Sequence, residues 1–390
     1  MPPFRAAIIG TGRPRGEEGA TGAAMSRYHA RGYQESGKAE IAALADIRRE
    51  HAEAFRREQD CPQAQIFTDY REMLVQVKPD VVSVVTWPHL HAEMVTACAE
   101  AGVRAVHCEK PMAPTWGEAK RMHQACVERG TQLTFNHQRR FEAPYRTARR
   151  LIREGAVGRL IQMQAACPNL IDWGTHWFDM LAFYNDDVPA TWVMGQLDAR
   201  HVREVFGVRL ESQGLSYFAY QNGVRGLLIT GDNLPDPEAS AGPTSPAAPP
   251  ADGRPERAPR RRGARPAMHA AHRIIGTEGV LEVGAPGSRV RLLNGAAAGY
   301  QEVPLDPAPD GVGEAIAAGI ADVLACLESG AQPELSSHKA IRTTELIFAT
   351  YESSRRRARV DLPLEISDNP LHALLDSGAL TLSPAAQEQG

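Results

Sequence analysis

Three titratable side chains in this sequence have the types and spacing to move a proton. Lys110 stands in "HCEKPMA", at the end of a short apolar run, "RAVHC". Open α/β sheets bind ligands at the carboxyl ends of their strands, and an ammonium placed there can donate to a hydroxyl or carbonyl oxygen. Glu109 can hold that ammonium by charge, and Pro111 fixes the turn. Taken alone, the Glu-Lys-Pro tripeptide also reads as a surface turn. Asp172 and His176 stand in "NLIDWGTHWFDML", four residues apart, with Asp179 three further on. At a helix start this spacing turns them the same way. An imidazole can take a proton from a hydroxyl near neutral pH, and a carboxylate can orient or charge-balance it. One histidine among carboxylates points to acid–base work rather than to a metal. The alternative is a histidine satisfied inside a core.

A second kind of chemistry is written near the amino terminus, in "GTGRPRGEEGATGAAM". Gly10 and Gly12 fit the first two positions of the G-x-G-x-x-G dinucleotide pattern, while Arg15 holds the third and Gly16, Gly19 and Gly22 follow late. A helix N-terminus preceded by small residues binds phosphate through backbone N–H groups and the helix dipole. With an excursion over residues 13–21, Gly22 or Ala23 takes the third glycine's packing role. On its own the stretch reads either as a nucleotide loop or as a glycine-rich turn. The next apolar run, "EIAALAD", ends in Asp46, where an acidic residue accepts adenosine ribose hydroxyls. The spacing exceeds the usual ~20 residues by about the length of the excursion. A carboxylate there favours NAD, because it repels a ribose phosphate, while Arg48 and Arg49 leave NADP possible. The alternative is an acidic residue that starts the following helix.

These groups need elements to hold them. The runs "FRAAIIG", "EIAALAD", "DVVSVVT", "RAVHC" and "QLTFN" predict buried strands, and amphipathic stretches separate most of them. Continuous apolar strands alternating with helices predict parallel βαβ units covered on both faces, a doubly wound domain over residues 1–138. The pattern then changes. Strand-like segments "GRLIQMQAA", "ATWVMGQLD", "LSYFAYQ", "VRGLLITGD", "HRIIGT" and "GVLEVG" mostly follow one another directly. They predict an α+β domain with a large, mostly antiparallel sheet over residues 139–366, closed by two helices. Residues 367–390 read as a tail. Within the second domain, residues 233–268 are rich in Pro, Ala, Gly and Arg and nearly devoid of large apolar side chains. Such a segment cannot bury enough surface to offset its ordering entropy, and it predicts a disordered or loosely held insertion.

The bulk numbers exclude more than they name. The chain has 390 residues, 43% hydrophobic and 23% charged, with a formal net charge of −4. Nothing in that balance calls for nucleic acid or an anionic membrane. No apolar run reaches the ~18 residues of a membrane helix, and the start reads as a strand rather than a signal peptide. The six cysteines form no C-x-x-C pair, so neither a zinc knuckle nor a redox motif is suggested. Reduced thiols in a cytoplasm are the expectation.

The order of the pieces resembles the glucose–fructose oxidoreductase / inositol dehydrogenase (Gfo/Idh/MocA) family over nearly the whole chain, apart from the insertion. The resemblance rests on "AAIIGTG", "SRYHARGY", "ALAD", "TWPHLHAEMVTACAEAG", "CEKPMA", "TFNHQRRFEAPY", "DWGTH" with "FDML", "IIGTEGVLEV" and "ATYESSRRRARVDLP". It implies a Rossmann domain followed by a sheet-rich domain whose open face often mediates oligomers, a homodimer or homotetramer. It implies an NAD(P)-dependent oxidoreductase of a sugar, cyclitol or related polyol, with Lys110, Asp172 and His176 catalytic and in contact with substrate. Gly10, Gly12, Gly22 and Asp46 match cofactor positions. Thr86, Pro88, His89, Glu109 and Asn136 match positions lining the cofactor, with His89 where asparagine is frequent. Trp87 could stack on substrate or cofactor. The resemblance also covers glycosidases that oxidise a sugar transiently and dinucleotide-binding regulators.

Overall fold

The structure is a computed structural model that describes residues 3–14, 25–199, 203–231, 272–285, 289–309 and 311–380. The glycine-loop excursion with Gly22, the insertion at 233–268 and the last ten residues of the tail lie outside the described residues. No helix among the described residues is long and apolar enough to cross a membrane.

The first half alternates as β1 (Phe4–Ile9), α1 (Met25–Ser36), β2 (Ala39–Ala45), α2 (Arg49–Glu58), β3 (Gln65–Phe67), α3 (Tyr70–Val77), β4 (Val81–Val84), α4 (Pro88–Glu100), β5 (Ala105–Cys108), α5 (Trp116–Arg129) and β6 (Gln132–Phe135). The six strands form one parallel sheet in the order β3-β2-β1-β4-β5-β6. Its central strands are buried along their length, as a sheet covered on both faces requires. The chain reverses winding direction between β1 and β4, and that switch point opens a crevice at the strands' carboxyl ends. Local signals set the helices. Thr115 Oγ1 accepts from Glu118 N at 3.3 Å to start α5, and Gly130, left-handed at φ +67°, ends it.

The chain continues through a 3₁₀ turn (Gln138–Phe141), α6 (Ala143–Arg153), β7 (Leu160–Cys167), α7 (Trp173–Tyr184), β8 (Ala190–Asp198), β9 (Arg203–Val205), β10 (Val208–Leu210), β11 (Gln213–Tyr220) and β12 (Arg225–Gly231). Then follow β13 (His272–Gly276), β14 (Gly279–Ala285), β15 (Arg289–Asn294), β16 (Gln301–Val303), α8 (Val312–Ser329), α9 (Ser337–Arg356), β17 (Val360–Asp361) and α10 (Pro370–Asp376). Nine of these strands make a sheet in the order β16-β15-β14-β13-β7-β12-β11-β8-β17. It is antiparallel except where β12 runs parallel to β7. Its inner face lies on α7 and α9. At Gly195 the backbone of α9 comes so close that a Cβ would sit 2.7 Å from the Thr350 carbonyl oxygen.

Two elements cross back to the first sheet. Ile316, Ile320, Val323 and Leu324 of α8 join Ile8, Tyr33 and Leu44 in one core cluster. The segment expected as a second domain at 139–366 thus supplies a covering helix to the first. The tail expected from 367 also packs in part. Gly117 N donates to Ser367 O at 2.9 Å, and Asn369 caps α10 by accepting from Leu371 N at 3.0 Å.

Candidate active site

The loop after β1 has the backbone that close approach to a phosphate needs. Gly10 stands at φ +89°, and a Cβ there would lie 2.3 Å from the Val85 carbonyl oxygen and 2.9 Å from Thr86 Cγ2. Gly12 is also left-handed, at φ +72°. Only glycine holds such positions without strain. Asp46, at the end of β2, braces the loop: its Oδ2 accepts from Thr11 N at 2.9 Å and from Thr11 Oγ1 at 2.8 Å. Its Oδ1 accepts from Arg48 N at 3.0 Å. The cradle fits a dinucleotide pyrophosphate, with Asp46 on the ribose side of the crevice.

The β4–α4 loop forms the next wall. Thr86 lies against Gly10, Pro88 is buried at the first position of α4, and Trp87 and His89 are exposed, their rings edge-on at 6.1 Å. His91, one turn into α4, ties this loop to the Glu-Lys-Pro turn. Its Nε2 lies 3.1 Å from Thr86 O and its Nδ1 3.0 Å from Pro111 O.

The Lys110 charge acts on Glu109, as the sequence suggested, but the short side-chain contacts of Glu109 are to other residues. Its buried carboxylate accepts from Asn136 Nδ2 at 2.7 Å and sits 3.0 Å from His29 Nε2. Burial works to raise its pKa, but the His29 hydrogen bond and charge, Asn136 and Lys110 overcome it and hold the carboxyl down at about 2. As Glu109 is then an acceptor only, His29 Nε2–H donates to it, and His29 Nδ1 lies 2.9 Å from Ser83 Oγ. Asn136 Oδ1, also buried, has no hydrogen-bond partner among the described residues.

The ammonium of Lys110 instead reaches across to α7. Lys110 Nζ and Asp172 Oδ1 are 2.6 Å apart, and both side chains are mostly buried, at 19% and 15% exposure. Asp172 is the residue before the first turn of α7, and its backbone N–H donates to Asn169 Oδ1 at 2.8 Å, which leaves its carboxylate free to face Lys110. Asp172 therefore orients Lys110, not His176. His176, one turn on, is 5% exposed, and its Nδ1 has no hydrogen-bond partner among the described residues. Burial, then the charges of Lys110, Arg139 and His137, push its pKa well below the usual histidine value, so the imidazole is neutral. A buried, neutral, unsatisfied ring nitrogen beside an ammonium is equipped to take or return a proton.

Asp179 does not serve His176 either. It lies 3.1 Å from His137 Nδ1 and makes a two-pronged pair with Arg140, both contacts at 2.8 Å. The same guanidinium binds Asp187 at 2.7 Å and Glu334 at 2.8 Å while only 1% exposed. Burial raises the Asp179 carboxyl, but the Arg140 charge and His137 outweigh it and hold it below the usual carboxylate range. His137, whose ring centroid is 6.0 Å from that of His176, and Arg140 carry the floor of the site. The only sequence signal for them was their place in "NHQRRF" directly after Asn136.

The geometry has counterparts in known proteins. A model of the Gfo/Idh/MocA family, described as an oxidoreductase family with an NAD-binding Rossmann fold, matches residues 4–137. An uncharacterised oxidoreductase of Schizosaccharomyces pombe is 32% identical over 27% of this chain, but the match spans only 28% of the relative's length. D-apiose dehydrogenase of Paraburkholderia graminis is 24% identical over 97% of this chain and 94% of its own. Among solved structures, a levoglucosan dehydrogenase in complex with NADH and levoglucosan shares the fold with a TM-score of 0.70 at 20% identity, over 93% of this chain and 100% of its own. The glycine cradle, the acidic residue after β2 and the six-stranded order all lie within the matched residues 4–137, which are similar to the NAD-binding Rossmann domain of that oxidoreductase family.

Proposed function

We propose that this protein is an NAD-dependent oxidoreductase that acts on a hydroxyl-bearing carbon of a sugar, cyclitol or related polyol. The observation that carries the reading is the meeting of Lys110, from the end of β5, with Asp172 at the start of α7, beside the unpartnered His176. Gly10, Gly12, Asp46, Thr86, Pro88, His89, Glu109 and Asn136 hold or line the dinucleotide, and Trp87 borders the substrate. NAD, when bound, supplies the hydride acceptor. Lys110 donates to the substrate oxygen and stabilises its negative charge as the proton leaves. Asp172, 2.6 Å from its Nζ, aims Lys110. His176 starts neutral and takes the hydroxyl proton.

A cytoplasmic location is supported by six cysteines that are all buried and unpaired. A homodimer or homotetramer through the outer face of the nine-stranded sheet is supported by exposed Met194, Leu215 and Ile229. The test of function is direct. Purified protein is mixed with NAD and a panel of myo-inositol, D-glucose, levoglucosan and D-apiose, and NADH is followed by absorbance. Turnover of at least one member is expected; NADH binding with no turnover across a wide polyol panel would refute the reading.

A further inference from the structure

Large apolar side chains left in the open mark contact sites when they gather at a cleft. Two such aromatic residues come from opposite halves of this molecule. Trp87, 55% exposed, follows Thr86, the residue that lies against Gly10 of the dinucleotide loop. Phe206, 43% exposed, stands at the tip of the β9–β10 hairpin. Its neighbour Gly207 brings that tip onto the Trp87 ring, where a Cβ would meet Cε3 at 3.4 Å and Cζ3 at 3.5 Å. The base of the hairpin reaches the acid–base site. Glu211, directly after β10, accepts from Leu170 N at 2.6 Å, two residues before Asp172. The hairpin therefore runs along one edge of the cleft, from the Asp172 loop to the wall of the cofactor crevice.

The turn itself is unusual. Phe206 and Gly207 are both left-handed, at φ 51° and 75°, the pattern of a two-residue turn that favours Asn-Gly or Asp-Gly. A bulky side chain in the left-handed region is strained. At 43% exposure the residue leaves much of its apolar surface open to the cleft edge. An aromatic group held in that region, next to the glycine that meets Trp87 at the mouth of a site, has a use outside the fold.

We propose that Phe206 and Trp87 form an aromatic rim that receives the C–H face of a sugar or cyclitol ring and sets which polyol the site takes. The inference rests on the polyol reading above. Flat apolar walls bury the ring's carbon face while its hydroxyls stay available to Lys110 and His176. The rim selects by shape: a ring with one flat face seats, and one with axial groups on both faces does not.

The experiment compares parent, Phe206→Asn and Trp87→Ala. Asparagine suits the left-handed position, so Phe206→Asn should unfold at the same or a higher temperature and bind NADH like the parent. Its KM for the best polyol of the panel should rise about tenfold or more, with kcat changed less than about threefold. Trp87→Ala should raise the same KM and also speed hydrogen exchange across residues 203–210, because the tip loses its support. A parent that oxidises a polyol while neither variant changes KM would overturn the rim and leave the polyol reading standing. A parent that binds NADH and oxidises no polyol would overturn both.

Discussion

In the proposed reaction Lys110 and His176 divide one proton transfer between them, and their surroundings shape the division. Asp172 Oδ1 lies 2.6 Å from Lys110 Nζ, and burial, then the Lys110 charge, pushes the His176 pKa well below the usual histidine value. One group arrives charged and donates; the other arrives neutral and accepts. We expect Lys110→Ala and His176→Ala each to lower kcat by roughly 10²–10⁴-fold with the NADH dissociation constant little changed. The double variant should lose less than the product of the single effects, because both groups act on one oxygen. Near-normal turnover in both single variants would place the chemistry elsewhere. Behind Asp172, Glu211 adds a pH dependence. Burial raises its carboxyl from the ordinary value of 4.5 to about 7, against hydrogen bonds from Thr230, Leu170 and Tyr351 that lower it only in part. Below about pH 4.5 both folded and unfolded chains hold this proton. Between there and pH 7 only the unfolded chain ionises, so the fold loses up to about 3 kcal/mol as pH rises. Glu211→Gln keeps an acceptor for Leu170 N and removes the titration. Relative to the parent it should gain roughly 2–3 kcal/mol between pH 5 and pH 8, read by urea denaturation at each pH. A difference independent of pH would show that Glu211 does not titrate in this window.

At the scale of elements, the glycine cradle is where sequence and geometry bind each other most tightly. Gly10→Ala would press a methyl group to 2.3 Å from the Val85 carbonyl oxygen at a left-handed backbone position. The β1 and β4 ends must then part, with a cost of about 1–3 kcal/mol. We expect a lowered melting temperature and an NADH dissociation constant raised tenfold or more; an unchanged dissociation constant by fluorescence titration would remove the loop from the cofactor site. Such local demands are what a sequence displays openly. β1, β2, β4, β5 and β6 were legible as continuous apolar runs because both faces of a parallel sheet are covered. β3, the three residues "QIF", was too short to carry a period, and so were β9, β10 and β16. The apolar stripe of α8 announced a helix but not which sheet it covers, since that choice is made by contacts with α1 far away in sequence. The site divides the same way. Lys110 and Asp172 each carried a local signal, but their pairing spans 62 residues. Glu109, adjacent to Lys110, turned instead to His29, 80 residues away. Partner choice inside a buried polar site depends on which atoms the fold brings within ~3 Å, and spacing along a chain does not encode it.

For the whole molecule, the two faces of the nine-stranded sheet make unequal demands. The inner face is filled: Val193, Leu197, Phe218 and Leu228 are buried beneath α7 and α9. The outer face alternates with it residue by residue, and among polar residues such as Gln164 and Gln196 it carries a group of apolar ones. Leu215 pairs across to Ile229, Tyr217 to Met194, and Ile229 to Ala166, which sets a continuous apolar band over four strands. Met194 is 51% exposed, Leu215 42% and Ile229 39%. A band of this kind on an otherwise charged surface marks a contact with another chain. A second copy is the simplest cover, because a two-fold axis through the band buries the same residues on both partners. The cleft holding Lys110 and His176 opens away from it, since α7 and α9 fill the space between. Association and cofactor binding should therefore separate. We expect the parent to sediment as a dimer or tetramer, and Met194→Arg with Leu215→Arg to give a smaller species that still binds NADH with the parent's affinity. Four buried guanidinium groups facing one another across the axis cannot all find partners, and the charge repulsion alone suffices to part the copies. A parent that sediments as a monomer at micromolar concentration, with the band open to water, would end the assignment of this face to self-association.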